Sequence, residues 1–245
     1  MTFKRLLFCC WLCWPVSIPA EVLIVADEFP AMEVVAAKLA KEENLKSRVI
    51  AQKDLPPTLA EYEAVVVYIH GALGAAAEHA FIQYTTNGGK LVLLHHSISS
   101  GKRKNQSWFG FLGVSLPGAD VSQGGYKWIE GITWDPVNLN PNHFIMTNRV
   151  TYPAKVTYEN TALPGFRLEH SEVYINHVHT SPRTILMGFK YEDQKTGVTY
   201  TQNRAGWIRP AGKGTIVYLM PGHTVDDFKH PAYGQIVANA IVFKP

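Results

Sequence analysis

Two adjacent histidines, His95 and His96, follow the apolar run LVLL and precede the hydroxyl-rich segment SISS. Imidazole transfers protons near neutral pH and also binds metal ions and hydroxyl groups, so the pair predicts a reactive or ligand-binding site. The alternative is that both rings only cap the end of a buried strand by bonding to neighbouring backbone groups. We favour the site, because parallel α/β sheets bind their ligands beyond the carboxyl ends of their strands.

A third histidine, His223, also follows an apolar run, in the segment GTIVYLMPGHTVDD. Histidine is well suited to general acid–base catalysis, so His223 is predicted to transfer a proton during a reaction. Asp226 or Asp227 is expected to cap the next helix, because a carboxylate complements the dipole at a helix N-terminus. An acidic helix start without any catalytic role is the alternative for the whole segment.

Polar and apolar residues alternate in the segment EHSEVYINHVHT. Alternate side chains of a strand share a face, so Glu172, Tyr174 and Asn176 are predicted to lie together and to suit a polyhydroxyl ligand. Glu172 is the candidate for a second catalytic group, and Tyr174 for a substrate contact. His177 and His179 have a spacing that can bind a metal ion from one strand face, although a surface pair is the alternative. No metal ligand is assigned; the candidates are His95, His96 and His177.

Glu28 and Trp108 are two further candidates for substrate contacts. Glu28 follows the first apolar run beside Asp27, and either carboxylate can bind a ligand; alternatively, Asp27 binds turn amides and Glu28 is exposed. Trp108 follows the histidine turn and is a candidate to stack on a sugar ring, although we favour packing beneath the loop. The basic segment GKRKN, residues 101–105, is expected to form a solvated loop at the pocket rim.

Residues 1–20 have the pattern of a signal peptide: a basic start, a short apolar stretch and a small residue at the cut. The apolar stretch is too short to cross a bilayer as a helix, and a retained anchor is the alternative. All three cysteines of the chain lie inside this segment, so the mature protein lacks a cysteine nucleophile, a disulfide and a thiolate metal site. The mature protein is expected to be secreted or periplasmic, without a membrane partner after cleavage.

The chain of 245 residues, 47% apolar and 18% charged, has the composition of a globular protein. Loss of Lys4 and Arg5 with the signal peptide lowers the formal net charge from +3 to +1. No basic stripe with interleaved aromatic residues occurs, so a nucleic-acid partner is not expected. The expected partner is a small carbohydrate, and the one cofactor considered is a divalent metal ion.

These candidate residues need a scaffold that brings several strand ends together. Buried strands are predicted at EVLIVA, SRVIAQ, EAVVVYIH, KLVLLHH and GTIVYLM, with helices between several of them. This alternation predicts an α/β fold with a mainly parallel central sheet and helices on both faces. Residues 116–160 are irregular and predict an elaborated loop region with short strands. Antiparallel strands follow, with a hairpin turn at or near Lys195–Gly197, and residues 21–245 are expected to form a single domain.

Four segments together resemble the ThuA-like, or trehalose-utilisation, family: NGGKLVLLHHSIS, WFGFLGV, SEVY and GTIVYLMPGHTVDDFKHPAYGQIVANAI. The resemblance runs from about Glu21 to Pro245. It implies a flavodoxin-like three-layer sandwich, as in class I glutamine amidotransferases, and a role in sugar utilisation. It does not imply amidotransferase chemistry, because those enzymes place a cysteine where this chain has His95 and His96.

Three functions remain open at this point. The first is a secreted enzyme that processes a sugar or glycoside, with His223 and Glu172 as catalytic groups. The second is a carbohydrate-binding protein without catalysis, which would use the same pocket. The third is a metal-dependent hydrolase of another substrate class.

Overall fold

The computed structural model describes residues 21–245, so the predicted signal peptide lies outside the described residues. The helices are α1 (Phe29–Glu42), α2 (Ala75–Thr86), α3 (Trp108–Leu112), α4 (Phe144–Thr147), α5 (Val225–Lys229) and α6 (Pro231–Val242). The strands are β1 (Glu21–Ala26), β2 (Lys46–Ile50), β3 (Ala64–Tyr68), β4 (Lys90–Leu94), β5 (Val114–Ser115), β6 (Lys127–Asn138), β7 (Ala154–Tyr158), β8 (Thr161–Gly165), β9 (Leu168–Ile175), β10 (Val178–His179), β11 (Thr184–Glu192), β12 (Thr199–Ala211) and β13 (Gly214–Leu219). Among these described residues, no helix is both long and apolar enough to span a membrane.

One large sheet joins most strands in the order β2-β1-β3-β4-β13-β12-β11-β6-β8-β7, and β9 pairs with β6 beside this path. The first five strands of this order run parallel. From β13 onwards each strand is antiparallel to its neighbour. Strand β13 therefore joins a parallel half to an antiparallel half, which confirms the predicted mixed α/β fold.

The parallel half forms where the sequence is continuously apolar. Every residue of β3 and β4 is buried, as expected for strands that are covered on both faces. Helix α1 buries Ala31, Met32, Val35 and Leu39, which recur at helical spacing along one face. It packs with α5 and α6, while α2 contacts β4 and β13, so helices cover the sheet.

In the antiparallel half, the hairpin was predicted correctly, whereas a long strand within residues 116–160 was not. The hairpin between β11 and β12 turns at residues 194–196, which confirms the prediction. Residues 116–160, in contrast, contain the twelve-residue strand β6 in addition to short strands. Gly131, with a φ of 67°, and two irregularities in the pairing with β9 interrupt the alternation that would have identified this strand.

Candidate functional site

The site begins at a sharp turn after β4. His95 is the first residue beyond the strand and has a φ of 32°, in the left-handed region that non-glycine residues rarely adopt. Such strain persists where the surrounding structure fixes a side chain for a purpose. Residues 95–98 continue as one 3₁₀ turn, so His95 and His96 both lie at the carboxyl end of the parallel strands.

His95 is fully buried and forms hydrogen bonds through both ring nitrogens. Its Nδ1 donates to the carbonyl of Met220 over 2.5 Å, and its Nε2 lies 2.8 Å from Oε2 of Glu172. A carbonyl can only accept, so Nδ1 carries a proton, and Nε2 is the ring atom that faces the carboxylate. His95 thus fixes the carboxylate and is itself enclosed.

Tyr174 continues this hydrogen-bond chain. Its hydroxyl donates to Oε2 of Glu172 over 3.1 Å, so the single hydroxyl proton is used there. Nδ1 of His96 lies 3.2 Å from the same hydroxyl and must therefore be the donor in that contact. Burial lowers the pKa of His96 well below its usual range, which keeps the ring neutral and leaves Nε2 with a free lone pair.

His223 reaches the same carboxylate from the loop after β13. Its Nδ1 lies 3.2 Å from Oε2 of Glu172, although its N–H is not aligned with the oxygen. The loop is held by Asp227, whose Oδ2 accepts from the backbone N–H of His223 over 2.8 Å. Asp227 also forms a capping box with Thr224 at the start of α5, which confirms the predicted cap.

The charges of this cluster follow from its contacts. Burial acts to raise the pKa of the Glu172 carboxyl, but His223 and His95 outweigh it and hold that pKa well below its usual range. In return, Glu172 raises the pKa of His223. Near neutral pH the carboxylate is therefore ionised, and it favours the protonated form of His223 relative to a free imidazole.

A pocket of about 260 Å³ opens above these groups. It is lined by His70, Gly71, His96, Ser99, Ser100, Gly101, Trp128, Glu130, Glu172, Tyr174 and His223. Trp128 and Glu130 of β6 pair directly with Tyr174 and Glu172 of β9, so all four side chains share one face. The Trp128 ring is 47% exposed and gives the pocket an aromatic wall.

Glu28 lies at the edge of this pocket. Its Oε1 is 3.3 Å from Nδ1 of His70, and its Oε2 is 3.3 Å from the hydroxyl of Tyr68. The neighbouring Asp27 instead accepts from the backbone N–H of His70 over 2.9 Å. Asp27 therefore has the turn-stabilising role, and Glu28 keeps a carboxylate that a ligand can reach.

Other candidates lie elsewhere. Trp108 is fully buried and its indole N–H donates to the carbonyl of Ser97 over 2.8 Å, so it packs beneath the loop and cannot stack on a sugar. His177 is also fully buried and does not line the pocket, and burial, followed by the nearby His179 and Arg204, lowers its pKa well below the usual range. Asn176 lies beyond the end of β9 and contacts Gln202, so it does not share the site with Tyr174.

The basic segment at residues 101–105 also differs from expectation. Lys102 is fully buried, and its ammonium donates to the carbonyls of Ile69 over 2.7 Å and His70 over 3.2 Å. Burial lowers the pKa of Lys102 to about 8. Through Lys102, the segment is therefore hydrogen-bonded to the residues that follow β3, and only part of it is solvated.

Fold and site together define a class: a flavodoxin-like α/β protein with a histidine–carboxylate pocket at the carboxyl ends of its strands. The family model for trehalose utilisation, ThuA, matches residues 22–244. The chain therefore belongs to the ThuA-like family, as its sequence motifs indicated. None of the curated proteins compared with the chain matches it.

Solved structures agree on the fold. A ThuA-like protein from Bacteroides uniformis is 17% identical with a TM-score of 0.61, over 94% of this chain and 93% of its own. One from Parabacteroides merdae is 13% identical with a TM-score of 0.62, over 91% and 88%. A β-galactosidase from Bacillus circulans is 9% identical with a TM-score of 0.54, over 89% of this chain but 30% of its own.

The side chains of Trp128, Glu130 and His70 also line the pocket, although the sequence analysis did not select them as site residues. Glu130 and Trp128 lie on β6, whose interrupted pattern concealed that they share a face with Glu172 and Tyr174. His70 follows β3 at the same sheet edge as the histidine pair. Its position after an apolar run was the available signal.

Proposed function

We propose that the protein is an enzyme that processes a sugar or glycoside by acid–base catalysis, with His223 as the group that transfers the proton. The observation that carries the proposal is the shared carboxylate. Glu172, buried beneath the pocket, lies within 3.2 Å of Nδ1 of His223 and 2.8 Å of Nε2 of His95. A buried carboxylate that holds a partly accessible imidazole is the arrangement expected of a catalytic acid–base pair.

The charges assign the two roles. Since Glu172 is ionised, it cannot donate a proton at neutral pH, whereas His223 can. His223 is therefore the general acid: its proton passes to the departing oxygen while a water molecule forms the new bond to the anomeric carbon, and the surplus proton of that water is released to solvent before the ring is protonated again. Glu172 stabilises the protonated ring and orients it.

The walls of the pocket suit a carbohydrate. Trp128 offers an aromatic face for the apolar side of a pyranose ring, and Glu130 offers acceptors for hydroxyl groups. A volume of 260 Å³ lies just below the range of about 300–1,000 Å³ typical of small-molecule sites, so the pocket suits one or two sugar units. Together with the predicted signal peptide, this favours an extracytoplasmic protein that acts on small saccharides.

The test is turnover of a panel of disaccharides and small glycosides, including trehalose, by the purified protein with and without chelator. His223→Gln is expected to lower kcat by roughly 10²–10⁴-fold, the usual contribution of an acid–base group. The matched control is His79→Gln, which alters an exposed histidine on α2 and should leave kcat unchanged. Full activity of His223→Gln would refute the assignment, and calorimetric binding without turnover would establish a carbohydrate-binding protein instead.

A further inference from the structure

We propose that Glu28, His70 and His96 form a binding site for a divalent metal ion at the edge of the pocket. Each of the three offers one ligand atom, and these atoms lie within 4.8 Å of one another. Two imidazoles and one carboxylate are a donor set that binds Zn²⁺ or Fe²⁺ and leaves coordination positions open. The open positions would face the pocket, where water or a substrate hydroxyl can complete the coordination.

The two histidine rings are in contact, but they are stacked and must rearrange to share an ion. Their planes are nearly parallel, 9° apart, with centroids separated by 4.3 Å. Bonds of about 2.0–2.2 Å place neighbouring ligand atoms roughly 3–3.6 Å apart, so the group must contract. Because an ion lies in the plane of each imidazole that binds it, the His70 ring must also rotate out of the stack. His70 and Glu28 have side chains that are 64% and 45% exposed, and they are free to make this adjustment while His96 stays fixed.

The tautomer of His96 is also suitable. Because Tyr174 uses its proton on Glu172, His96 donates through Nδ1 and keeps an unprotonated Nε2. A ligating histidine typically donates its other ring N–H to a fixed acceptor, which orients the ring and increases its basicity. Tyr174, itself anchored on the carboxylate, is that acceptor here.

The backbone that carries His70 is held rigidly. Asp27 accepts from the N–H of His70 over 2.9 Å, and the ammonium of Lys102 donates to its carbonyl over 3.2 Å. Two charged groups therefore fix this exposed turn, although neither lines the pocket. Supporting contacts of this kind are what a metal site needs to keep a loop ligand in place.

A second histidine group competes for the same ion. Ligand atoms of His95, His96 and His223 also lie within 4.8 Å of one another. However, both nitrogens of His95 are occupied by Met220 and Glu172, and Nδ1 of His223 lies against the same carboxylate. Coordination there would break the buried cluster, whereas the group with Glu28 and His70 binds an ion without disturbing it.

The experiment is calorimetric titration of Zn²⁺ into chelator-treated, untagged protein, and it needs no substrate. We expect one ion per chain, and His70→Ala should weaken binding at least tenfold, while the exposed His79→Ala should leave it unchanged. Absence of Zn²⁺ binding, or unchanged affinity in His70→Ala, would overturn the proposal.

A further variant separates the two groups. His223→Ala is expected to retain the ion; loss of binding in this variant, with retention in His70→Ala, would place the metal at the other group and refute the assignment. The proposed reaction is judged separately by turnover. A protein that binds Zn²⁺ without processing saccharides would support this site and contradict the proposed enzyme.

Discussion

Glu172 illustrates how a residue's role depends on its neighbours. Two imidazoles and one phenol converge on its Oε2, within 2.8–3.2 Å. No described residue donates to Oε1, which leaves that oxygen for a ligand. The same carboxylate can thus stabilise the protonated His223 through one oxygen and accept from a substrate hydroxyl through the other.

Trp128 is proposed to contact the saccharide, whereas Trp108 is a buried packing residue, and substitution of each tests this difference. Trp128→Ala should weaken saccharide binding by roughly 3- to 10-fold, because aromatic stacking contributes about 0.5–1.5 kcal/mol. Since the ring is 47% exposed, the free energy of unfolding should change by less than about 0.5 kcal/mol. Calorimetry and urea denaturation measure the two quantities.

Trp108→Phe is the contrasting variant. It removes the buried indole N–H that donates to Ser97 and should lower the free energy of unfolding by about 1–3 kcal/mol.

For Trp128→Ala, the contradicting outcome is a saccharide affinity equal to that of the wild type. This result would show that Trp128 is not a contact.

At the scale of elements, the short helix α5 anchors the loop that carries His223. Oδ2 of Asp227 accepts from the backbone of Gly222 over 3.2 Å and from the hydroxyl of Ser171, on β9, over 2.7 Å. The carboxylate therefore connects the end of β13 to the strand that carries Glu172. The buried side chain of Asp227 therefore fixes the distance between His223, the proposed acid, and Glu172.

Asp227→Ala is expected to lower the free energy of unfolding by on the order of 3 kcal/mol. The variant loses a cap and several hydrogen bonds to a charged acceptor, each of which contributes about 1.5–3 kcal/mol. The adjacent Asp226→Ala changes an exposed residue that pairs with Lys229 and should stay within about 0.5 kcal/mol of wild type. Urea denaturation compares the two, and equal effects would contradict the assigned role of Asp227.

Particular residues show how far the sequence alone reaches. His95, His96, Glu172, Tyr174 and His223 were identified together, because parallel strands present their carboxyl ends at one edge and strand alternation sets a shared face. The burial of Lys102 could not be predicted from the sequence, because the carbonyl groups that it contacts lie more than thirty residues away along the chain. The sequence likewise does not distinguish the exposed Trp128 from the buried Trp108, because the burial of an aromatic residue depends on tertiary partners that local patterns do not specify.

At the scale of the whole molecule, two buried lysines affect how stability varies with pH. Burial lowers the pKa of Lys90 and of Lys102 to about 8 in the folded protein. The unfolded chain, with lysine pKa values near 10.4, therefore binds more protons than the folded protein above about pH 8. Stability must then rise with pH across this interval.

We expect the free energy of unfolding to increase by on the order of 2 kcal/mol between about pH 8 and 9.5. Above that, unfolded tyrosines ionise while buried ones such as Tyr68 resist, and the trend reverses. Urea denaturation at several pH values measures the increase, and Lys90→Met should reduce it by about half. A flat or falling profile in wild type would contradict the lowered lysine pKa values.

The central place of β13 has a consequence for biosynthesis. This strand, Gly214–Leu219, is made after all the other described strands, yet it lies between β4 and β12 in the middle of the sheet. Until it emerges, a growing chain holds two unjoined sheets with open hydrophobic edges, which attract other chains. A polypeptide that stops before residue 214 is therefore prone to aggregate, and His223, which follows β13, meets Glu172 only after β13 has been made.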